Sequence, residues 1–172
     1  MESKQERHYV RSVSHPRAKD DTAQLGIDYL DERIIRHLVV DGRISFRKLA
    51  HDLHVSTNTV TARVARLQSA GVLRGYAAAV DYDKLGYTLT AVTEMMVAKG
   101  KLLEIEREVA RLPGVCIVYD VTGEIDGIAV AKFKNREDLS HFTKKLLAMP
   151  FVERTNTHVV LTTVREDFRV AV

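Results

Sequence analysis

The chain has 172 residues, with 26 Lys and Arg against 23 Asp and Glu, a formal charge of +3 and 45% apolar side chains, the size of one large domain or two small ones. Its longest apolar stretches, Ile125–Ala131 and Val159–Val164, are short and interrupted, far below the roughly 20 residues of a membrane helix, so no membrane partner is expected. Residues 1–21 mix charge with His and lack the apolar centre of a secretory signal, which makes the cytoplasm the expected compartment. The single cysteine, Cys116, excludes an internal disulfide and a Cys-based zinc site. Lying between Val115 and Ile117-Val118, it reads as a buried strand thiol.

The charge is unevenly placed. Residues 28–75 hold eight basic and five acidic side chains, whereas residues 76–172 hold 13 and 14. A basic block beside a neutral one points to a polyanion met by one part of the chain only. Residues 1–26 carry no sustained periodicity and read as a flexible extension.

From Asp28 a helical pattern sets in. Leu30, Ile34 and Leu38 recur at helical spacing behind an Asp28 cap, and Asp41-Gly42 supplies the stop. Ser45 can cap a second helix, with Phe46, Leu49, Ala50 and Leu53 inward, ending near His54. Ser56 can cap a third, with Val60, Val64 and Leu67 inward and Gly71 at the stop. The short link His54-Val55-Ser56 forces helices two and three to cross steeply, as in a helix-turn-helix. The third helix turns Thr57, Asn58, Thr59, Thr61, Arg63 and Arg66 outward, and no acidic residue occurs from Val55 to Gly75. Short hydroxyl and amide side chains at a helix start can reach base edges, and arginines further along can meet guanines or phosphates. Ser45, Arg47, Lys48 and Ser56 add polar and basic groups beside them, so double-stranded DNA is the expected partner.

Val72–Val80 reads as a strand or an extended connector. Beyond Tyr87 strands and helices alternate: a strand over Thr88–Ala98, a helix over Lys101–Leu112, a strand over Val115–Thr122, a turn at Gly123–Gly127, a strand over Ile128–Phe133, a helix over Arg136–Met149 and a long strand over Val152–Val164. This βαββαβ order is the ferredoxin-like arrangement. Two helices cover one face of such a sheet, yet its strands read as apolar or uncharged on both faces, which calls for a homodimer.

The run Asp28-x-x-Asp31-x-x-Ile34, Asp41-Gly42-Arg43-Ile44-Ser45, Leu49-Ala50, Val55-Ser56-x-x-Thr59-Val60-x-x-Arg63-Val64-x-Arg66-Leu67 and Gly71-Val72-Leu73-x-Gly75-Tyr76 resembles the DNA-binding half of the Lrp/AsnC, or feast/famine, transcription regulators. Pro113-Gly114-Val115, Val121-Thr122-Gly123-Glu124-x-Asp126 and Pro150-x-Val152-x-x-Thr155-x-Thr157 resemble that family's effector-binding domain, so the likeness spans residues 27–166 in one register. It implies an α+β protein: a helix-turn-helix, winged-helix-like domain over 27–73, a linker strand over 74–86, a ferredoxin-like domain over 87–166 and a tail over 167–172. It further implies a sequence-specific regulator of transcription that is not an enzyme and needs no cofactor. Such a regulator binds a pseudo-palindromic operator as dimers that often form tetramers or octamers, and is tuned by an amino acid or related metabolite. Gly123, Glu124, Asp126, Gly127, Thr155 and Thr157 are the implied effector residues: the carboxylates for an ammonium, the glycine N–H groups and threonine hydroxyls for a carboxylate. Gly123 and Gly127 also suit a plain β-turn that Asp126 caps. Where this family often has Glu, Pro and an aromatic residue, this chain has Lys48, Thr57-Asn58 and Ile125.

Other functions have less support. His51 and His54 lie at a metal-pair spacing but no Glu or Cys nearby completes a site, and no phosphate loop or nucleophile arrangement is present. Siroheme decarboxylase subunits share the two-domain outline, but Arg63 and Arg66 suit DNA better. A sensing or oligomerisation module without DNA would gain from Glu-Lys pairs on helix three rather than an acid-free face, and an RNA-binding sheet would need exposed aromatic platforms.

Overall fold

The protein is described by a computed structural model over residues 26–170. Apart from Gly26, the extension expected over 1–26 lies outside the described residues, as do the last two residues of the tail. The rest falls into two compact units, one running to Ala79 and taking in the chain from Asp167, the other spanning Val80–Glu166.

The first unit is a three-helix cluster. Helix α1, Tyr29–Val40, opens with a reciprocal capping box: Asp31 N–H donates to the Asp28 carboxylate and Asp28 N–H to that of Asp31, each at 3.0 Å. Helix α2, Phe46–Leu53, is capped by Ser45 Oγ, which accepts from Lys48 N–H at 3.2 Å. It stops at His54, which takes the left-handed conformation at φ 57° so that its N–H folds back on the carbonyls of Ala50 and His51. Helix α3, Thr57–Ser69, is capped by Ser56 Oγ, which accepts from Thr59 N–H at 3.0 Å, and ends where Val72 N–H turns back to Leu67 O at 2.9 Å. Ile34 and Leu38 of α1, Leu49, Ala50 and Leu53 of α2, and Val60, Val64 and Leu67 of α3 are buried together, the inward positions that helical periodicity selects. Among the described residues Val72–Val80 pairs with no strand, so it is an extended connector and not a strand.

The second unit has strand β1 (Leu89–Val97), helix α4 (Leu102–Val109), strands β2 (Val115–Asp120) and β3 (Gly127–Phe133), helix α5 (Arg136–Leu147) and strand β4 (Val152–Val159). The antiparallel sheet has the order β2-β3-β1-β4, as the βαββαβ reading requires. Ala91, Met95 and Val97 of β1 and Ala129, Ala131 and Phe133 of β3 face α4 and α5, where Ile105, Val109, Phe142 and Leu146 close the core.

The strand expected over Val152–Val164 is shorter. Val160 N–H still donates to Thr90 O at 2.8 Å, but Leu161 and Val164 are 96% exposed and find no neighbouring strand. Cys116 corrects the expectation of a buried thiol: the register slips between Val115 and Ile117, and this irregularity leaves Cys116 exposed on an edge strand. The other face of the sheet is not uniformly apolar either. Paired positions bring Val92, Val130, Ile117 and Ile128 together, but Glu94 stands opposite Asn156, Met96 opposite Arg154 and Val92 opposite His158.

Candidate nucleic-acid interface and effector turn

The tight turn between α2 and α3 presents the start of α3 to solvent. Ser56, Thr57, Asn58 and Thr61 are exposed, as are Ser45, Arg47 and Lys48 at the start of α2. Part of this set is already committed locally. Ser45 and Ser56 are caps, Thr59 Oγ1 lies 2.8 Å from Ser56 Oγ, and Thr61 donates its hydroxyl to Thr57 O at 2.9 Å. Thr57, Asn58 and Arg47 have no side-chain partner among the described residues, and Lys48 acts through its charge on Asp52. His51 and His54 are also exposed, and His51 Nδ1 lies 3.2 Å from Asp52 Oδ1, which draws the Asp52 carboxyl below its ordinary range.

Arg63 and Arg66 are engaged inside the domain. The Arg63 guanidinium donates to Asp28 Oδ2 and, at 3.2 Å, to Asp31 Oδ2, while Arg66 Nη2 donates to the same Asp31 oxygen. Asp31 is fully buried at the start of α1, and its Oδ1 has no hydrogen-bond partner among the described residues. The Arg63 hydrogen bond, aided by Asp31 N–H, holds the Asp28 carboxyl at about 2, and the two carboxylates push the Arg63 value up. The arginines expected at guanines and phosphates therefore clasp α3 to α1. Sequence reasoning missed the clasp because its partners lie 32 to 35 positions apart.

The turn between β2 and β3 is braced from β1. Asp126 Oδ2 accepts from Val97 N–H at 2.8 Å and Asp126 N–H donates to Met95 O at 3.0 Å. Asp126 thus secures the turn, the plainer of its two readings. Gly127 is buried, and a Cβ there would meet Met95 Cε at 3.2 Å and Tyr119 O at 3.4 Å. Nearby, Glu106 Oε1 is buried without a hydrogen-bond partner among the described residues, and desolvation, with Asp120 adding, pushes that carboxyl up. Gly123 and Glu124 are exposed. Glu124 and Ile125 line a cavity of about 170 Å³ with Glu94, Met95, Met96, Arg154 and Asn156. Thr155 and Thr157 do not join it: they pair with Met95 and Thr93, whose side chains are buried on the helix-covered face, and Thr157 Oγ1 lies 3.1 Å from Thr93 Oγ1. The missed residues are Glu94, Arg154 and Asn156, with Asn156 Nδ2 donating to Glu94 at 3.1 Å. Alternation along β4 was the available signal, because Arg154 and Asn156 lie two apart and share the face opposite the threonines. The cavity sets a guanidinium beside two carboxylates, a donor set matching both ends of a zwitterion.

A helix-turn-helix whose third helix opens on exposed hydroxyl and amide side chains, with basic residues at the start of the second, followed by a ferredoxin-like sheet, defines a DNA-binding regulator. Residues 27–68 match the AsnC-type helix-turn-helix domain and residues 90–170 the Lrp/AsnC ligand binding domain. An HTH-type transcriptional regulator of Pyrococcus abyssi is 47% identical over 143 residues, 83% of this chain and 97% of the relative. The HTH-type transcriptional regulator FL11 of Pyrococcus horikoshii is 31% identical over 140 residues, 81% of this chain and 93% of its own. Among solved structures, a Neisseria meningitidis transcriptional regulator in complex with L-Met superposes with a TM-score of 0.76 at 25% identity, covering 84% of this chain and 96% of that one. The chain belongs to the Lrp/AsnC family of helix-turn-helix transcriptional regulators.

Proposed function

We propose that the chain regulates transcription in the cytoplasm, without enzymatic activity, by binding a pseudo-palindromic operator in double-stranded DNA as a homodimer. Its partner copy sets two α3 helices about one turn of DNA, roughly 34 to 36 Å, apart or a multiple of it. One observation carries the reading: the exposed start of α3, with Thr57, Asn58 and Thr61 beside Arg47 and Lys48 and no acid between Val55 and Gly75. Asn58 and Thr57 read bases, Thr61 borders them, and Ser45, Arg47, Lys48, Ser56 and Thr59 meet the phosphate backbone. Arg63 and Arg66 act by fixing the orientation of α3, since their guanidinium groups already serve Asp28 and Asp31.

An amino acid bound at the 170 Å³ cavity adjusts affinity for DNA. Arg154 takes its carboxylate, and Glu124 with Glu94 takes its ammonium, while Gly123, Asp126 and Gly127 hold the turn in shape. The Neisseria protein's L-Met complex supports an amino acid as the class of effector.

Footprinting on genomic fragments tests the DNA half. Asn58→Ala with an intact fold is expected to weaken a specific site by about 1 to 3 kcal/mol, and an unchanged footprint and affinity would refute the assignment. An amino-acid panel read by thermal shift tests the other half. A ligand at 100 times its dissociation constant stabilises the chain by about 2.7 kcal/mol, and the shift is expected to vanish in Glu124→Ala/Arg154→Ala.

A further inference from the structure

The opposite end of the sheet carries a second cavity. It lies where β3 ends and α5 begins, six residues along β3 from Gly127, about 20 Å at strand spacing. Its volume is about 380 Å³, within the size range of small-ligand sites. The floor is apolar: Leu112, Phe133 and Phe142 are at most 8% exposed, and the two phenyl rings lie 5.1 Å apart. Around the mouth stand Lys134, His141 and Lys145. His141 and Lys145 are four apart, so they share one face of α5. Lys134 Nζ lies 5.2 Å over the Tyr87 ring, which is itself part of the wall. None of these three basic residues forms an ion pair among the described residues. Asp138 is the one carboxylate of the lining and belongs to the first turn of α5, where the helix dipole already favours it.

We propose that this cavity binds a small organic anion with an aromatic or aliphatic body, a carboxylate in place of the zwitterion read at the β2–β3 turn. The phenyl and leucyl floor takes the apolar body. Lys134 and Lys145 take the carboxylate, gaining the counter-charge that the described part of the chain does not supply. Tyr87 holds Lys134 over the mouth by its ring face. A free ammonium on the ligand is disfavoured, because the lysines outnumber the single carboxylate. The site stands on observations separate from the effector turn and from the DNA-binding helix.

The test uses the full chain and three probes sharing one body: 3-phenylpropionate, L-phenylalanine and phenethylamine, followed by calorimetry and by amide chemical shifts. The expected order is 3-phenylpropionate above phenylalanine, with phenethylamine not binding, and shifts centred on Tyr87, Gly114, Lys134 and His141. Lys134→Ala/Lys145→Ala is expected to weaken 3-phenylpropionate by about tenfold or more, and Glu124→Ala/Arg154→Ala to leave it unchanged. If the double lysine variant fails to fold, Lys145→Gln on the exposed side of α5 carries the same comparison. The proposal is overturned by no binding of 3-phenylpropionate at about 10 mM, by equal binding of phenethylamine, by shifts centred on Gly123–Gly127, or by full affinity in the folded lysine variants.

Discussion

Asp31 is a carboxylate with no exposed surface, and two guanidinium groups from another helix make its burial tolerable. Removing one partner of such a cluster leaves the others uncompensated. Arg63→Ala/Arg66→Ala, which strips the buried carboxylate of both guanidinium partners, is therefore expected to cost about 3 to 5 kcal/mol in urea melts, and a loss below about 1 kcal/mol would mean that the clasp is ornamental. Asp28 contributes a pH signature. Its folded value of about 2 lies below the 3.8 of a free aspartate, so the ionised form favours the fold. That contribution is complete above about pH 4 and disappears as the pH falls through about 2. Comparing Asp28→Asn with the parent, the stability difference is expected to narrow over this interval and nowhere above it. The D-x-x-D and R-x-x-R spacings of the clasp are visible in the sequence, but their pairing needs the packing of α1 on α3. This is why charge patterning alone assigned both arginines to DNA.

Among the elements, those marked by local chemistry were the most legible. Asp28, Ser45 and Ser56 each cap the helix that follows, as their side-chain oxygens and the apolar periods behind them foretold. Ser56→Ala is expected to lower stability by about 1 kcal/mol, with α3 fraying at its exposed start. Strand ends were less legible, because a strand stops where its neighbour stops. Leu161 and Val164 are as β-prone as the residues before them, yet β1 has no edge left for them. The β2 edge depends on Gly114, which holds φ 82°, and a Cβ there would lie 2.4 Å from Lys132 O. Gly114→Ala is expected to destabilise the chain by about 1 to 3 kcal/mol and to loosen β2 specifically, as amide exchange on Val118 and Tyr119 would report. In the sequence Gly114 stands out only in the Pro113-Gly114-Val115 run, and the close approach of Lys132 appears only once β2 and β3 are aligned.

At the scale of the whole molecule, the sheet's uncovered face combines an apolar patch, Val92, Ile117, Ile128 and Val130, with a border of Glu94, Arg154, Asn156 and His158. A patch of this kind suits a second copy of the chain better than water. Light scattering at micromolar concentration is expected to give at least a dimer, and Val130→Lys to shift it toward monomer while the helix-turn-helix stays folded. A parent protein that remained a 19.4 kDa monomer would remove the argument. The two-domain order was legible because each half carries its own period, helical to Ser69 and then alternating βα. The cavity at the turn was only partly so, since strand periodicity names two sides without saying which one a ligand meets.

The hydroxyl pair of Thr93 and Thr157 marks the register that divides those two sides. Their side chains meet beneath the sheet at 3.1 Å, with Thr93 fully buried. As a polar match inside an apolar layer, they act as an index mark between two sliding rulers. Held at this mark, β4 turns Arg154 and Asn156 upward. Displaced by one notch, it would turn them into the core and lift the threonines into their place. Thr93→Val alone strands the Thr157 hydroxyl, whereas Thr93→Val/Thr157→Val is expected to regain most of the loss. The pair need touch no ligand to govern which side chains a ligand can find.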